Sequence, residues 1–138
     1  MAPEIIQPKS VHSTVGVGYS HVARVGDTIY IAGQVALNRL GNLVGEDDIE
    51  AQTQQAFENL QAILNELGGS LNDIVKMTTY LTDRSQLEAF RRVRNRYLSD
   101  SFPPNTLLFI SGLAQPEYLV EIEAVAVVSA PRAGPTAH

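Results

Sequence analysis

The sequence contains no cysteine and no tryptophan. Without a thiol there is no cysteine nucleophile, no thiolate-ligated zinc and no disulfide scaffold, and the absence fits a reducing compartment. The chain must then hold together by burial, which its 138 residues allow: one domain of this size buries about two-thirds of the surface its unfolded chain exposes. The three histidines, His12, His21 and His138, are scattered without metal-ligand spacing, which disfavours zinc hydrolysis. His21, on a strand, reads as a surface residue. No apolar run approaches the roughly 20 residues of a membrane helix. The opening MAPEIIQPKS has no basic segment followed by an apolar one, so no signal peptide is read there and the cytosol is the expected location. No serine sits in a nucleophile elbow, and Gly16-Val17-Gly18 lacks the strand before and helix after that a dinucleotide fingerprint needs. Net charge is -5 with no basic stripe, a poor basis for nucleic-acid binding, which depends on neutralising phosphates.

What is present is an alternation of strands and amphipathic helices. The first dozen residues are polar, contain prolines and show little periodicity. His21–Val25, a Gly26-Asp27 turn and Thr28–Leu37 then read as two paired strands. Gly33, inside the second, marks a bulge or a close backbone approach. After an Asn/Gly-rich loop over 38–45, Asp47 or Asp48 can cap a helix whose Ala56, Phe57, Leu60, Ile63, Leu64 and Leu67 share one face. Gly68-Gly69 stops it. Ile74–Leu81 is a strand. Asp83 and Gln86 resemble a capping box before a second helix with Leu87, Phe90, Val93, Tyr97 and Leu98 on one stripe, ended by Pro103-Pro104. Thr106–Ser111 and Leu119–Val128 are strands. The Pro/Gly/Ala-rich tail over 130–138 reads as disordered, leaving a single domain over 1–129.

Two helices cover one face of such a sheet, which makes the class α+β. In Leu119–Val128, residues Val120, Ile122, Ala124, Ala126 and Val128 point one way, and Leu119, Val125 and Val127 the other. A sheet apolar on both faces with helices for only one predicts oligomerisation.

Two groups of residues carry chemical potential. Glu121 and Glu123 lie in that doubly apolar strand. A carboxylate there must be paired, hydrogen-bonded or protonated, and burial raises its pKa. Such a group is either a general base that handles water or a structural carboxylate held by backbone N–H groups or an interface arginine. Arg94 lies on the apolar stripe of the second helix, whereas Arg91, Arg92 and Arg96 lie off it and read as a solvated face. Arg94 is either a snorkelling, structurally paired cation or an anchor for an anion.

Tyr19-Ser20, Ile31-Ala32-Gly33-Gln34, the segment from Gln52 to Asn59, Val75–Leu81, Phe102-Pro103 and Val120-Glu121-Ile122-Glu123-Ala124 together resemble the RidA (YjgF) family. The likeness runs from about Tyr19 to Val128. It implies a chorismate-mutase-like mixed sheet with two helices on one face and a homotrimer. It implies clefts between subunits that take a small carboxylate or an imine or enamine, with no metal or cofactor; nucleic acid and membrane are not expected partners on the charge and hydropathy grounds above. Members with deaminase activity hydrolyse enamines and imines to keto acids and ammonia. Carried over residue by residue, the water-handling glutamate is Glu121, the cleft tyrosine is Tyr19, and the serine often found before Gly-Gln is Ala32, next to Gly33. The carboxylate-clamping arginine is replaced by Asn105, followed by Thr106, and the stretch from Asn105 to Glu121 is one residue longer than usual near Gln115-Pro116. Asn has no charge and no guanidinium fork, which costs carboxylate binding about ten- to a hundredfold. Two expectations follow: a deaminase of altered specificity in which Arg94 replaces the missing anchor, or a non-catalytic small-molecule-binding or stress-protective trimer.

Overall fold

The longest element is a helix, α1, Ile49–Glu66. It forms because its apolar residues recur every three to four positions and both ends are closed. At the start the Asp48 carboxylate accepts a hydrogen bond from the Ala51 N–H at 3.1 Å. At the end Gly68 takes φ +88°, and the N–H groups of Gly68 and Gly69 reach back to the carbonyls of Asn65 and Leu64, a Schellman closure. Its inward face, Ala56, Phe57, Leu60, Ile63 and Leu64, is wholly buried; each large side chain so buried contributes about 1.5–3 kcal/mol.

In the computed structural model, residues 2–129 are described, and the expected tail over 130–138 lies outside them. Six strands form one sheet: β1 (Glu4–Ile6), β2 (Val22–Val25), β3 (Thr28–Gln34), β4 (Ile74–Leu81), β5 (Asn105–Phe109) and β6 (Val120–Val127), in the order β1-β2-β3-β6-β4-β5. Only β4 and β5 run parallel, joined through α2 (Leu87–Tyr97). Helices α1 and α2 pack together on one face, where Ile122, Ala126, Met77, Leu81 and Phe90 close the core. The other face carries Tyr30, Leu108 and Val127, exposed by 50%, 44% and 45%. That contrast is the two-faced apolar pattern of the sequence. No helix among the described residues is long and apolar enough to cross a membrane.

Three expectations are corrected. The N-terminal segment contains β1, which pairs antiparallel with β2; a strand of three residues is too short to show a period. The Asp83–Gln86 capping box is absent. Residues Arg84–Gln86 wind as a tight 3-10 turn, whose Ser85 N–H Asp83 caps at 2.8 Å, so Gln86 falls at the start of α2 instead of three positions inside it. His21 is buried, only 1% exposed, because the N-terminal segment folds over it.

Candidate functional site

A β-bulge sets the site. Ile31 pairs with Ala124 and Gln34 with Ile122, so β3 spends three residues where β6 spends two. The extra residue kinks the strand and brings the Gly33 backbone against the Glu121 side chain. A Cβ at position 33 would overlap the Glu121 carboxylate, so glycine here makes room for that carboxylate. Glu121 alternates with the buried Val120 and Ile122, and its side chain leaves the sheet on the face without helices.

Glu121 borders a cavity of about 490 Å³ with Tyr19, Ala32, Gly33, Tyr118 and His12. Four of the residues expected from the sequence, Glu121, Tyr19, Ala32 and Gly33, are thus brought together. Among the described residues, Glu121 has no hydrogen-bond donor and no cation as partner. Burial, and then Glu123 two residues on, push its pKa above the usual carboxylate range. Burial and the Glu121 charge raise the phenol of Tyr19, and burial, Glu117 and Glu121 raise that of Tyr118. Both tyrosines therefore stay protonated donors at neutral pH.

Buried polar groups of α1 fix the cavity walls. The Gln52 amide donates to the carbonyls of Gly45 and Glu117, both at 3.0 Å, and accepts from the Leu119 N–H at 2.9 Å. The Asn59 amide donates to the carbonyls of Val35 and Leu37. These contacts satisfy loop groups that would otherwise be orphaned on burial. A further network lies behind the bulge. The Gln34 Nε2 donates to the Ala32 carbonyl and to Nδ1 of His21, each at 3.0 Å. Nε2 of His21 then donates to the His12 carbonyl at 2.8 Å, which assigns the neutral Nε2–H tautomer. The His12 ring meets the His21 ring edge-on at 4.7 Å and its two nitrogens have no hydrogen-bond partner among the described residues. Sequence reading missed His12 and Tyr118. His12 lies far from any motif, and Tyr118, two residues before Val120, is marked by no periodic signal.

Arg94 and Asn105 share a second, smaller cavity of about 130 Å³ with Met77, Thr79, Leu98 and Phe102. Asn105 Oδ1 accepts from the hydroxyl of Thr79 at 3.1 Å. Thr79 belongs to the buried, helix-facing row of β4 with Met77 and Leu81, so the Asn105 side chain points to the helix side of the edge strand β5. The Arg94 guanidinium stands 5.2 Å from the centre of the Phe102 ring and donates to Asn95 Oδ1 at 3.0–3.1 Å. Burial and the neighbouring Arg91 lower its pKa. No carboxylate pairs with it among the described residues, whereas Arg91 pairs with Glu88, and Arg92 and Arg96 with Glu50. Thr106 joins neither group: it is exposed and its hydroxyl accepts from Lys76 Nζ at 3.0 Å. Glu123 accepts from the phenol of Tyr80 at 2.8 Å. No cluster of three or more His, Asp or Glu side chains suited to a metal occurs among the described residues.

Comparison with known proteins agrees with this architecture. A family model described as endoribonuclease L-PSP matches residues 11–128. A RutC family protein of Pyrococcus abyssi is 36% identical over 126 residues, covering 91% of this chain and 98% of that protein. The 2-iminobutanoate/2-iminopropanoate deaminase of Mus musculus is 32% identical, covering 79% of this chain and 80% of the other. The crystal structure of RidA from the Antarctic bacterium Psychrobacter sp. superposes with a TM-score of 0.82 at 34% identity, over 91% of this chain and 99% of that one. The bulge-held glutamate, the mixed six-stranded sheet with two helices on one face, and these matches make the chain a member of the RidA (YjgF) family.

Proposed function

We propose that this protein is an enamine/imine deaminase of its family, a hydrolase acting as a homotrimer, with specificity altered by Asn105 in place of the substrate-clamping arginine. The observation that carries the reading is the unpartnered Glu121 carboxylate, held against the Gly33 backbone at the wall of a cavity large enough for a small organic molecule. A carboxylate whose pKa lies above the usual range is a better proton acceptor than an ordinary one. As water adds to the C=N carbon of a protonated imine, Glu121 takes one of the water's protons and the π pair moves to nitrogen. Glu121 then returns that proton to the nitrogen. The C–N bond breaks, the hydroxyl oxygen forms C=O, and its proton leaves with ammonia, so that iminium and water become ketone and ammonium. Tyr19 and Tyr118, which line the same cavity, supply phenol donors for the developing oxygen.

Arg94 is proposed as the anion anchor that replaces the arginine. Its stacking on Phe102, its place beside Asn105 and its lack of a carboxylate partner support that role. In one chain Asn105 and Glu121 lie on opposite faces of the sheet, so Arg94 serves the Glu121 reaction only across a subunit boundary. The exposed apolar row Tyr30, Leu108 and Val127 supports such an assembly.

The test is semicarbazone formation from enzymatically generated imino acids. The protein accelerates loss of the imine, and Glu121→Ala reduces the rate by about a hundredfold or more. No acceleration, or none lost in the variant, sinks the deaminase reading. Arg94→Ala weakens carboxylate ligands by about tenfold; unchanged affinity removes Arg94 as the anchor. The expected trimer is checked by the molar mass in solution.

A further inference from the structure

His21 and Gln34 lie behind the bulge that holds Glu121. This chain alone shuts both away from solvent, at 1% and 0% exposure, so no neighbouring subunit completes their hydrogen bonds. Gln34 spends both amide hydrogens, one on the Ala32 carbonyl and one on Nδ1 of His21, each at 3.0 Å. Oε1 of the same amide is buried and has no hydrogen-bond partner among the described residues. A buried acceptor left unused is unfavourable. The arrangement holds only while Nδ1 of His21 carries a lone pair and no proton.

On a ring protonated at both nitrogens, Nδ1–H faces the Gln34 NH2 group, donor against donor. Turning the amide over removes the conflict. Oε1 then accepts from Nδ1–H in a charge-assisted bond, while Nε2–H of the ring keeps the His12 carbonyl. The Ala32 carbonyl loses the Gln34 donor. Ala32 and Gly33 lie in the irregular stretch of β3, and the Gly33 backbone meets the Glu121 side chain. Two titratable groups face the His21 ring: His12 from the N-terminal segment, ring centres 4.7 Å apart, and Tyr19 from the loop before β2, at 6.0 Å. Gln34 of β3 carries no charge, and Glu121 of β6 stands beyond Gly33. No carboxylate pairs with His21 among the described residues.

We infer that His21 is a positioning residue for Glu121: when it takes a proton the Gln34 amide turns over, the Ala32 carbonyl is released, and the bulge loosens its hold on the carboxylate. Glu121 is held in place above the titration of His21 and slackened below it. Burial lowers the pKa of His21 from 6.5, against the bond to the His12 carbonyl, so the change belongs to acid solution. The movement of the side chains is independent of the deaminase reading; its kinetic consequence rests on that reading.

The experiment titrates the full chain, labelled with 15N, from pH 8 to pH 5. It uses Glu121→Gln, so that no carboxylate titrates against Gly33. The Gly33 backbone amide and the Gln34 side-chain amide then shift in one step, at the midpoint of the His21 ring signals. Adding His21→Gln flattens both. The Gln34 side-chain amide, behind the bulge, reads the same step in the unmodified protein and decides even where a variant fails to fold. A Gln34 amide that stays still while His21 titrates overturns the inference. So does a flat Gly33 signal in Glu121→Gln, a step that follows the His12 ring signals instead, or a His21 ring that remains neutral down to pH 5. Where imine hydrolysis is found, kcat falls on the acid side more steeply than the roughly tenfold per pH unit that one base gives, and His21→Gln restores the shallower limb. Absence of hydrolysis sinks the deaminase reading and leaves the spectra to decide on His21.

Discussion

The cavities around Glu121 and Arg94 are built from the same sheet, yet they carry opposite charges and open on opposite faces of it. The first takes its shape from backbone: a bulge, a glycine and loops tied down by Gln52 and Asn59. The second takes its shape from side chains: a guanidinium on a phenyl ring and an amide held by a buried threonine hydroxyl. A carboxylate placed by backbone geometry has little freedom to drift. An arginine stacked on a partly exposed ring can change partners at small cost, which suits the anchoring role proposed for it. The difference teaches which part resists change: the Glu121 cavity is fixed by the fold, and the Arg94 cavity is set by single side chains.

The largest expected effect comes from breaking the rigid end. Gly33→Ala sets a methyl group where the Glu121 carboxylate lies. The obstacle is the far end of a flexible side chain, so the fold adjusts and Tm moves little. The reacting carboxylate is displaced, and displacements on the order of 1 Å cost about a hundredfold in rate. Steady-state kinetics beside a melting curve separates the two: an unchanged kcat would mean that Glu121 need not stay where the bulge holds it. The adaptable end gives the next effect. Asn105→Arg adds a guanidinium beside Arg94, and kcat/KM for carboxylate-bearing imines rises by about ten- to a hundredfold, while kcat/KM for imines without an acid group stays as it was. Should both change together, the two cavities do not act as separate ends.

The smallest effect concerns the histidines behind the bulge. Burial lowers the pKa of both His12 and His21 below the ordinary value of 6.5; the His21 proximity adds to this at His12, while the hydrogen bond to the His12 carbonyl opposes it at His21. The unfolded chain therefore takes up protons before the folded one. Stability is fully present above pH 6.5 or so and is lost as pH falls through the lowered values. Melting curves between pH 7.5 and 5.5 show a falling Tm, and His12→Phe, which removes one of the two groups, makes the fall shallower. A Tm that stays level across this range would mean that neither ring is closed to protons.

Helices and most strands were legible because their signals are local. The Phe57, Leu60, Ile63, Leu64 stripe, the double glycine after it and the alternation through β6 each lie within one segment. The β1 strand was not legible, since Glu4–Ile6 becomes a strand only by lying beside β2. Of the candidate site, Glu121, Tyr19, Ala32 and Gly33 could be named through the family resemblance, and Glu121 also stood out as a charge in an apolar strand. His12 and Tyr118 could not, because their proximity to Glu121 depends on two loops with no periodicity of their own.

The sequence alone determined most of the element types, the apolar second face of the sheet and the uncharged side chain at position 105. Local propensity and alternation carry all of that. Only the tertiary structure decided that a bulge at Gly33 aims at Glu121, that the carboxylate has no partner among the described residues, and that Asn105 and Arg94 lie across the sheet from it. Those facts arise from register between strands ninety residues or so apart in sequence, and no local pattern encodes which residues such pairing will bring face to face.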